Sequence, residues 1–257
     1  MSNKFNIEWI QPWSGALMRS ELHPDVLDAL LEMTDELIES GGLNYGDKLA
    51  GQIKDEIYIE HDMLNSRVVG GITLHDHIMS YVSEYLSRAL KQYATSVNAQ
   101  EYSKKQFVTM LETIWVVSQK ENEYNPIHSH ISSGFSGVLY LKVPEFAPSV
   151  KPERVDDGCI TFIATGGAPH HLARLTKGSF KWRPRVGDIF VFPAHMYHTV
   201  YPYQSNGADP ERRSIAFNAN FMSVEEYKQL EASGELQGIR QVGHPSISLP
   251  QSAYEKK

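Results

Sequence analysis

The chain has 257 residues, 41% of them hydrophobic and 21% charged, an ordinary globular composition that excludes a disordered polymer. Lys and Arg number 24 against 31 Asp and Glu, a net charge of −7, which argues against a general nucleic-acid binder with a basic face. The single cysteine, Cys159, excludes an internal disulfide, no apolar run approaches the ~20 residues of a membrane span, and the first residues lack a signal-peptide core. A cytoplasmic protein with a small-molecule or peptidyl partner is the expectation.

Residues 1–104 read as mostly helical. His23-Pro24 opens a segment with Val26, Leu27, Leu30, Leu31, Met33, Leu37 and Ile38 at helical spacing, and Gly41-Gly42 stops it. A second periodic run, Ile78, Tyr81, Val82, Tyr85, Leu86 and Leu90, lies between about Thr73 and Tyr93, with Thr73 as its N-cap. Residues 52–71 show no clear period.

From residue 105 to 222 the pattern is β. Short apolar runs (Thr113–Val117, Gly137–Val143, Cys159–Ala164, Ile189–Phe192, His198–Tyr201, Ser214–Asn220) are separated by Pro, Gly and Asn clusters, as in an antiparallel sandwich or barrel. Residues 223–257 read as a C-terminal extension with a short helix near Val224–Leu230. No linker separates these parts, so the chain reads as one α+β, mainly β domain over 1–257.

Eleven histidines are present. His75-Asp76-His77 lies on the predicted second helix, where positions i and i+2 face apart, so it reads as ordinary surface. His61-Asp62 reads the same way, as neighbours pointing apart on a strand. His170-His171 lies in a loop-like Gly-Gly-Ala-Pro context.

His128-Ser129-His130 differs. It follows the turn Tyr124-Asn125-Pro126-Ile127 and continues as extended chain, where i and i+2 project to one face and can share one metal ion. A third ligand is expected from His198, on the strand that returns after Gly187-Asp188 and Pro193. His195 is the second choice, nearer the turn. Further on, Arg212, Ser214, Ala216 and Asn218 share one face of a strand, and Arg213, Ile215 and Phe217 the other. An inward Arg212 beside Ser214 makes a receptor for a carboxylate.

His128-x-His130, Ser136-Gly137-Val138-Leu139-Tyr140-Leu141, Gly187-Asp188-x-Phe190-Val191-Phe192-Pro193, His198-x-Val200-x-Pro202 and Arg212-x-Ser214-Ile215-Ala216-Phe217-Asn218 occur in the order seen in iron(II)- and 2-oxoglutarate-dependent oxygenases. The stretch from about Trp115 to Asn220 resembles that superfamily, and within it a group from bacteria and phages with an HxH motif. The resemblance implies a double-stranded β-helix, or jelly-roll, core; the N-terminal helices lie outside it and are expected to pack on that core. It implies Fe(II) and 2-oxoglutarate as cofactors and dioxygen as co-reactant. Residue by residue, it implies His128 and His198 as metal ligands, Arg212 as anchor of the far carboxylate of 2-oxoglutarate, Ser214 as its helper and Tyr140 as a further contact.

The chain departs from the superfamily at His130, which stands where a carboxylate ligand is usual. The favoured reading is that His130 ligates, because strand geometry aims it at the metal; in a second it stays behind the ligands, and in a third a carboxylate such as Asp157 completes the site. The expected reaction is hydroxylation of a substrate C–H bond with succinate and carbon dioxide as coproducts. The alternatives are a cupin-like three-histidine metalloenzyme that needs no 2-oxoglutarate and a binding module without metal. Residues 147–157 and 164–185 could form the substrate rim, the latter carrying Arg174, Lys177, Lys181, Arg183 and Arg185.

Overall fold

The computed structural model describes residues 6–10, 15–93, 105–130, 132–151, 156–164 and 178–234. Two antiparallel sheets face each other. The larger has the order β1 (Glu8–Ile10), β2 (Leu17–Glu21), β11 (Asp188–Pro193), β8 (Phe135–Lys142), β13 (Arg212–Ser223), β6 (Phe107–Gln119) and β3 (Asp55–Tyr58). The smaller has the order β10 (Ser179–Trp182), β9 (Ile160–Ile163), β12 (Tyr197–Val200) and β7 (Asn125–His128). A short hairpin, β4 (Val68–Val69) with β5 (Ile72–Thr73), stands apart. This is the mainly β, jelly-roll architecture that the motif order implied.

Helices α1 (Pro24–Glu39), α2 (His61–Asn65), α3 (Leu74–Tyr93) and α4 (Val224–Ser233) complete the described elements with a 3-10 turn at Gly46–Lys48. Helix α1 starts where His23 caps the amide of Asp25 and Pro24 takes the first turn, where its missing N–H costs nothing. It buries Val26, Leu30, Met33 and Leu37, a stripe at helical spacing. Thr73 caps α3, its Oγ1 accepting from the Asp76 amide at 3.0 Å. No helix among the described residues is long and apolar enough to cross a membrane.

Alternation along β13 sorts the protein into layers. Ile215, Phe217 and Ala219 join α1 and α3 residues such as Leu30, Met33, Ile78 and Val82 in one apolar cluster, which covers the outer face of the larger sheet. Each such side chain contributes about 1.5–3 kcal/mol when fully buried. Between the sheets a second cluster holds Leu17, Tyr140, Phe162, Phe190 and Phe192. Arg212 and Ser214 face this inner side. Gly137 is paired with Phe217, and a Cβ there would lie 2.1 Å from the Phe217 ring. No larger residue fits without moving that ring out of the core.

Two sequence expectations need correction, at His61 and His75, and residues 1–104 add strands to their helices: β1, β2 and β3 extend the larger sheet at both ends. These strands are short, and their partners lie far along the chain, so local periodicity carries little trace of them. His61 is not on a strand but opens α2, and it is buried. His75 is not surface: it is 1% exposed, because it lies on the apolar stripe of α3 with Ile78 and Met79. The two rings are 6.3 Å apart. His77 is half-buried, with Nε2 3.0 Å from the Val69 carbonyl.

Asp188, in the Gly-Asp motif, clamps the N-terminal strand. Its carboxylate accepts from Arg19 Nη2 at 2.6 Å and Nε at 3.0 Å, and from Trp182 Nε1 at 2.9 Å and the Arg185 amide at 2.8 Å. The preceding Gly187 has φ +87°, a left-handed turn that glycine adopts without strain. The motif therefore serves the fold of the sheet edge.

Candidate metal and carboxylate site

His128 ends β7 and pairs in register with His198 on β12. His130 lies two residues beyond, its backbone amide donating to the Ala194 carbonyl at 2.8 Å. The ring centroids are 4.2 Å apart for His128 and His198, 5.2 Å for His128 and His130, and 5.4 Å for His130 and His198. One ring nitrogen from each lies within 4.8 Å of the others, a group that can hold one metal ion.

The orientation is held from behind. Nδ1 of His128 is 2.8 Å from the Pro126 carbonyl, and Nδ1 of His198 is 2.9 Å from the Met196 carbonyl. Each carbonyl accepts a hydrogen bond from Nδ1–H and so leaves Nε2 with a lone pair, the usual support for a metal-binding imidazole. Burial keeps all three rings neutral. It lowers His128, it lowers His130 to about 4 with help from His128, and it holds His198 well below the ordinary imidazole value. Neutral imidazole is the form that binds metal.

His195 is exposed and outside this group, because it sits in the turn between β11 and β12. Asp157 is half-buried and also outside the group, so among the described residues no carboxylate joins the three histidines. His170, His171, Arg174 and Lys177 lie outside the described residues. Lys181 is paired with Asp156, and Arg183 lies 5.0 Å above the Phe146 ring.

The same cavity is lined by Tyr140, Arg212 and Ser214. The two neighbouring arginines of β13 have opposite fates. Arg213 faces outward and pairs with Glu211 at 2.8 Å and with Asp35. Arg212 faces inward, is 2% exposed, and forms no ion pair among the described residues. Its Nη1 donates to the Gly158 carbonyl at 2.8 Å and its Nη2 to Gln119 Oε1, while Nε has no partner. Burial lowers its pKa, yet a guanidinium stays protonated in proteins. Tyr140 pairs with Ser214 across β8 and β13, is 1% exposed, and has a hydroxyl without a partner. Burial raises its pKa, so the phenol keeps its proton and can donate.

A buried cation with a free donor, beside a buried phenol with a free donor, demands an acceptor of negative charge. The donor sets fit an iron ion at the three imidazoles and a dicarboxylic 2-oxoacid reaching from it to Arg212. Three supporting residues were missed in the sequence. Gln119 and Tyr203 position Arg212: the Tyr203 hydroxyl accepts from the Arg212 amide at 3.1 Å and reaches the Gln119 and Pro210 carbonyls. Gln119 shares the inward phase of Trp115 and Val117, so the alternation of β6 held its signal. Glu56 lines the cavity from β3, where no sequence pattern marked it.

Burial, and then the neighbouring Glu123, raise the Glu56 carboxyl to about 7. Its ordinary value is 4.5, so between these values the folded chain holds a proton that the unfolded chain releases. Stability should fall as pH rises from about 4.5 through 7. A Glu56→Gln variant should lack this loss, and so gain of order 2 kcal/mol over the parent at pH 8 relative to pH 5, allowing for solvent screening. Paired thermal melts at the two pH values check this.

Residues 113–218 match the family described as "Putative 2OG-Fe(II) oxygenase". Among solved structures, the chain is similar to a prolyl-4-hydroxylase from Pseudomonas putida, at 15% identity and TM-score 0.44, covering 80% of this chain and 94% of that one. It is also similar to HygX from Streptomyces hygroscopicus with nickel and 2-oxoglutarate bound, at 10% identity and TM-score 0.45, covering 79% and 82%. No protein of curated function matches the chain.

Proposed function

We propose that the chain, whose residues 113–218 match the 2OG-Fe(II) oxygenase family, hydroxylates a C–H bond of a small-molecule or peptidyl substrate and releases succinate and carbon dioxide. It is an oxidoreductase, with Fe(II) and 2-oxoglutarate as its cofactors. In this reading His128, His130 and His198 hold the iron, and the Pro126 and Met196 carbonyls keep the first and last rings aimed at it. Bound iron and 2-oxoglutarate together supply the oxidising chemistry with dioxygen.

The protein supplies position and dryness. Arg212 takes the far carboxylate of 2-oxoglutarate, Ser214 adds a hydrogen bond, and the Tyr140 hydroxyl donates a second. Gln119 and Gly158 hold the guanidinium in place. Ile160, Phe192 and Val200 wall the cavity and exclude water. The observation that carries the reading is Arg212, a buried cation without a carboxylate partner among the described residues, in the cavity that holds the three histidines. A three-histidine enzyme that uses no 2-oxoacid would leave that charge without purpose.

Anaerobic titration with Fe(II), with and without 2-oxoglutarate, tests the reading. A weak visible charge-transfer band is expected only when both are present. Iron binding with no band and no 2-oxoglutarate affinity would overturn it.

A further inference from the structure

Glu56 belongs to a row of inward side chains that crosses four strands. Tyr140 pairs with Ser214, Ser214 with Val117, and Val117 with Glu56. Strands lie about 4.8 Å apart, so Glu56 stands roughly 10 Å from Ser214 on the same face of the sheet. It is 1% exposed, it lines the cavity of the three histidines, and its Oε2 has no partner. The charge acting on it is that of Glu123, of the same sign. A buried carboxyl in this condition weakens the fold. Such a cost is expected where a ligand completes the pairing.

A second acceptor in want of a donor lines the neighbouring outer groove. Asn218 gives its Nδ2 to Thr113 Oγ1 at 3.3 Å, which leaves its buried Oδ1 without a partner. Asn218 lines an outer groove that shares Leu49, Trp115 and His130 with the inner cavity. The path from groove to cavity therefore presents two unsatisfied acceptors, one of them a carboxyl. The anion-binding part of the cavity, at Arg212, is already assigned to 2-oxoglutarate.

We propose that Glu56 is the substrate-recognition residue of this cavity, and that the substrate offers it a cationic nitrogen group, an ammonium or a guanidinium. The assignment rests on the oxygenase reading above, because that reading gives the Arg212 end to the cosubstrate and leaves the Glu56 end to the substrate. A cationic donor satisfies Oε2.

The test uses the full chain loaded with Zn(II) and 2-oxoglutarate, which bind without turnover, and four probes that share a four-carbon chain: n-butylammonium, n-butylguanidinium, n-butanol and butyrate. Binding is followed by NMR shifts of the histidine ring protons, and 2-oxoglutarate affinity is measured separately. At least one cation should bind about tenfold more tightly than n-butanol and butyrate, the size of one charge-assisted hydrogen bond. Glu56→Gln should erase that preference, Glu56→Asp should keep part of it, and both should still bind 2-oxoglutarate. Equal binding of all four probes, or a preference that survives in Glu56→Gln, overturns this proposal alone. Absence of 2-oxoglutarate binding by the parent chain overturns the oxygenase reading and this proposal with it.

Discussion

Replacement of Arg212 by alanine is expected to weaken 2-oxoglutarate binding by about 10²–10³-fold while leaving iron binding intact. The guanidinium is the charged group that faces the distal end of the cavity, and a carboxylate there would receive two charge-assisted hydrogen bonds. Each is worth about 1.5–3 kcal/mol, and two near the lower end give about 3–4 kcal/mol. Arg212→Lys keeps the charge but not the planar fork, and should recover only part of the affinity. The charge-transfer titration measures all three proteins. A thermal melt separates the effect from unfolding. Arg212→Ala removes a buried cation that no carboxylate compensates, which offsets the donors lost by the Gly158 carbonyl and Gln119 Oε1. Its stability should therefore stay near that of the parent. Unchanged 2-oxoglutarate affinity in Arg212→Ala would contradict the assignment.

His198→Ala should lose Fe(II) by more than about a hundredfold, beyond the 10–100-fold typical of damage to a ligand's supporting hydrogen bond. His198 is the most enclosed of the three histidines, pairs in register with His128, and is held by the Met196 carbonyl. His130→Ala decides between the readings of its role. Loss comparable to that of His198→Ala is expected, since its ring nitrogen lies within 4.8 Å of those of the other two. Retained affinity would place His130 behind the ligands. His195→Ala should bind as the parent does, because that ring is exposed and outside the group. Metal content after loading and desalting checks the set.

The local pattern of the chain exposed some of this site and hid the rest, for reasons visible at particular residues. The spacing His128-x-His130 predicts two rings on one face wherever the backbone is extended, whatever the rest of the fold. The adjacent Arg212 and Arg213 predict opposite faces for the same reason. Which arginine faces inward depends on the register of β13 against β6 and β8, a long-range pairing. Glu56 is one residue of a four-residue strand whose role comes from pairing with Val117, and no local period announces that. His75 shows the converse error. Its neighbours read as a polar helix start, while packing of α3 puts position 75 on the apolar stripe.

Sequence alone determined the helices α1 and α3, the β-rich second half and the shared face of His128 and His130, and it marked His198 and Arg212 as candidates. These rest on periods of two and 3.6 and on short-range order, which the chain carries locally. Tertiary structure alone decided that the three rings meet, that among the described residues Arg212 is buried without a counterion while Arg213 has two, and that Glu56 enters the same cavity. Those facts depend on strand pairings and sheet packing between residues far apart in the chain, where burial and the presence or absence of a partner set the charge that a ligand must bring.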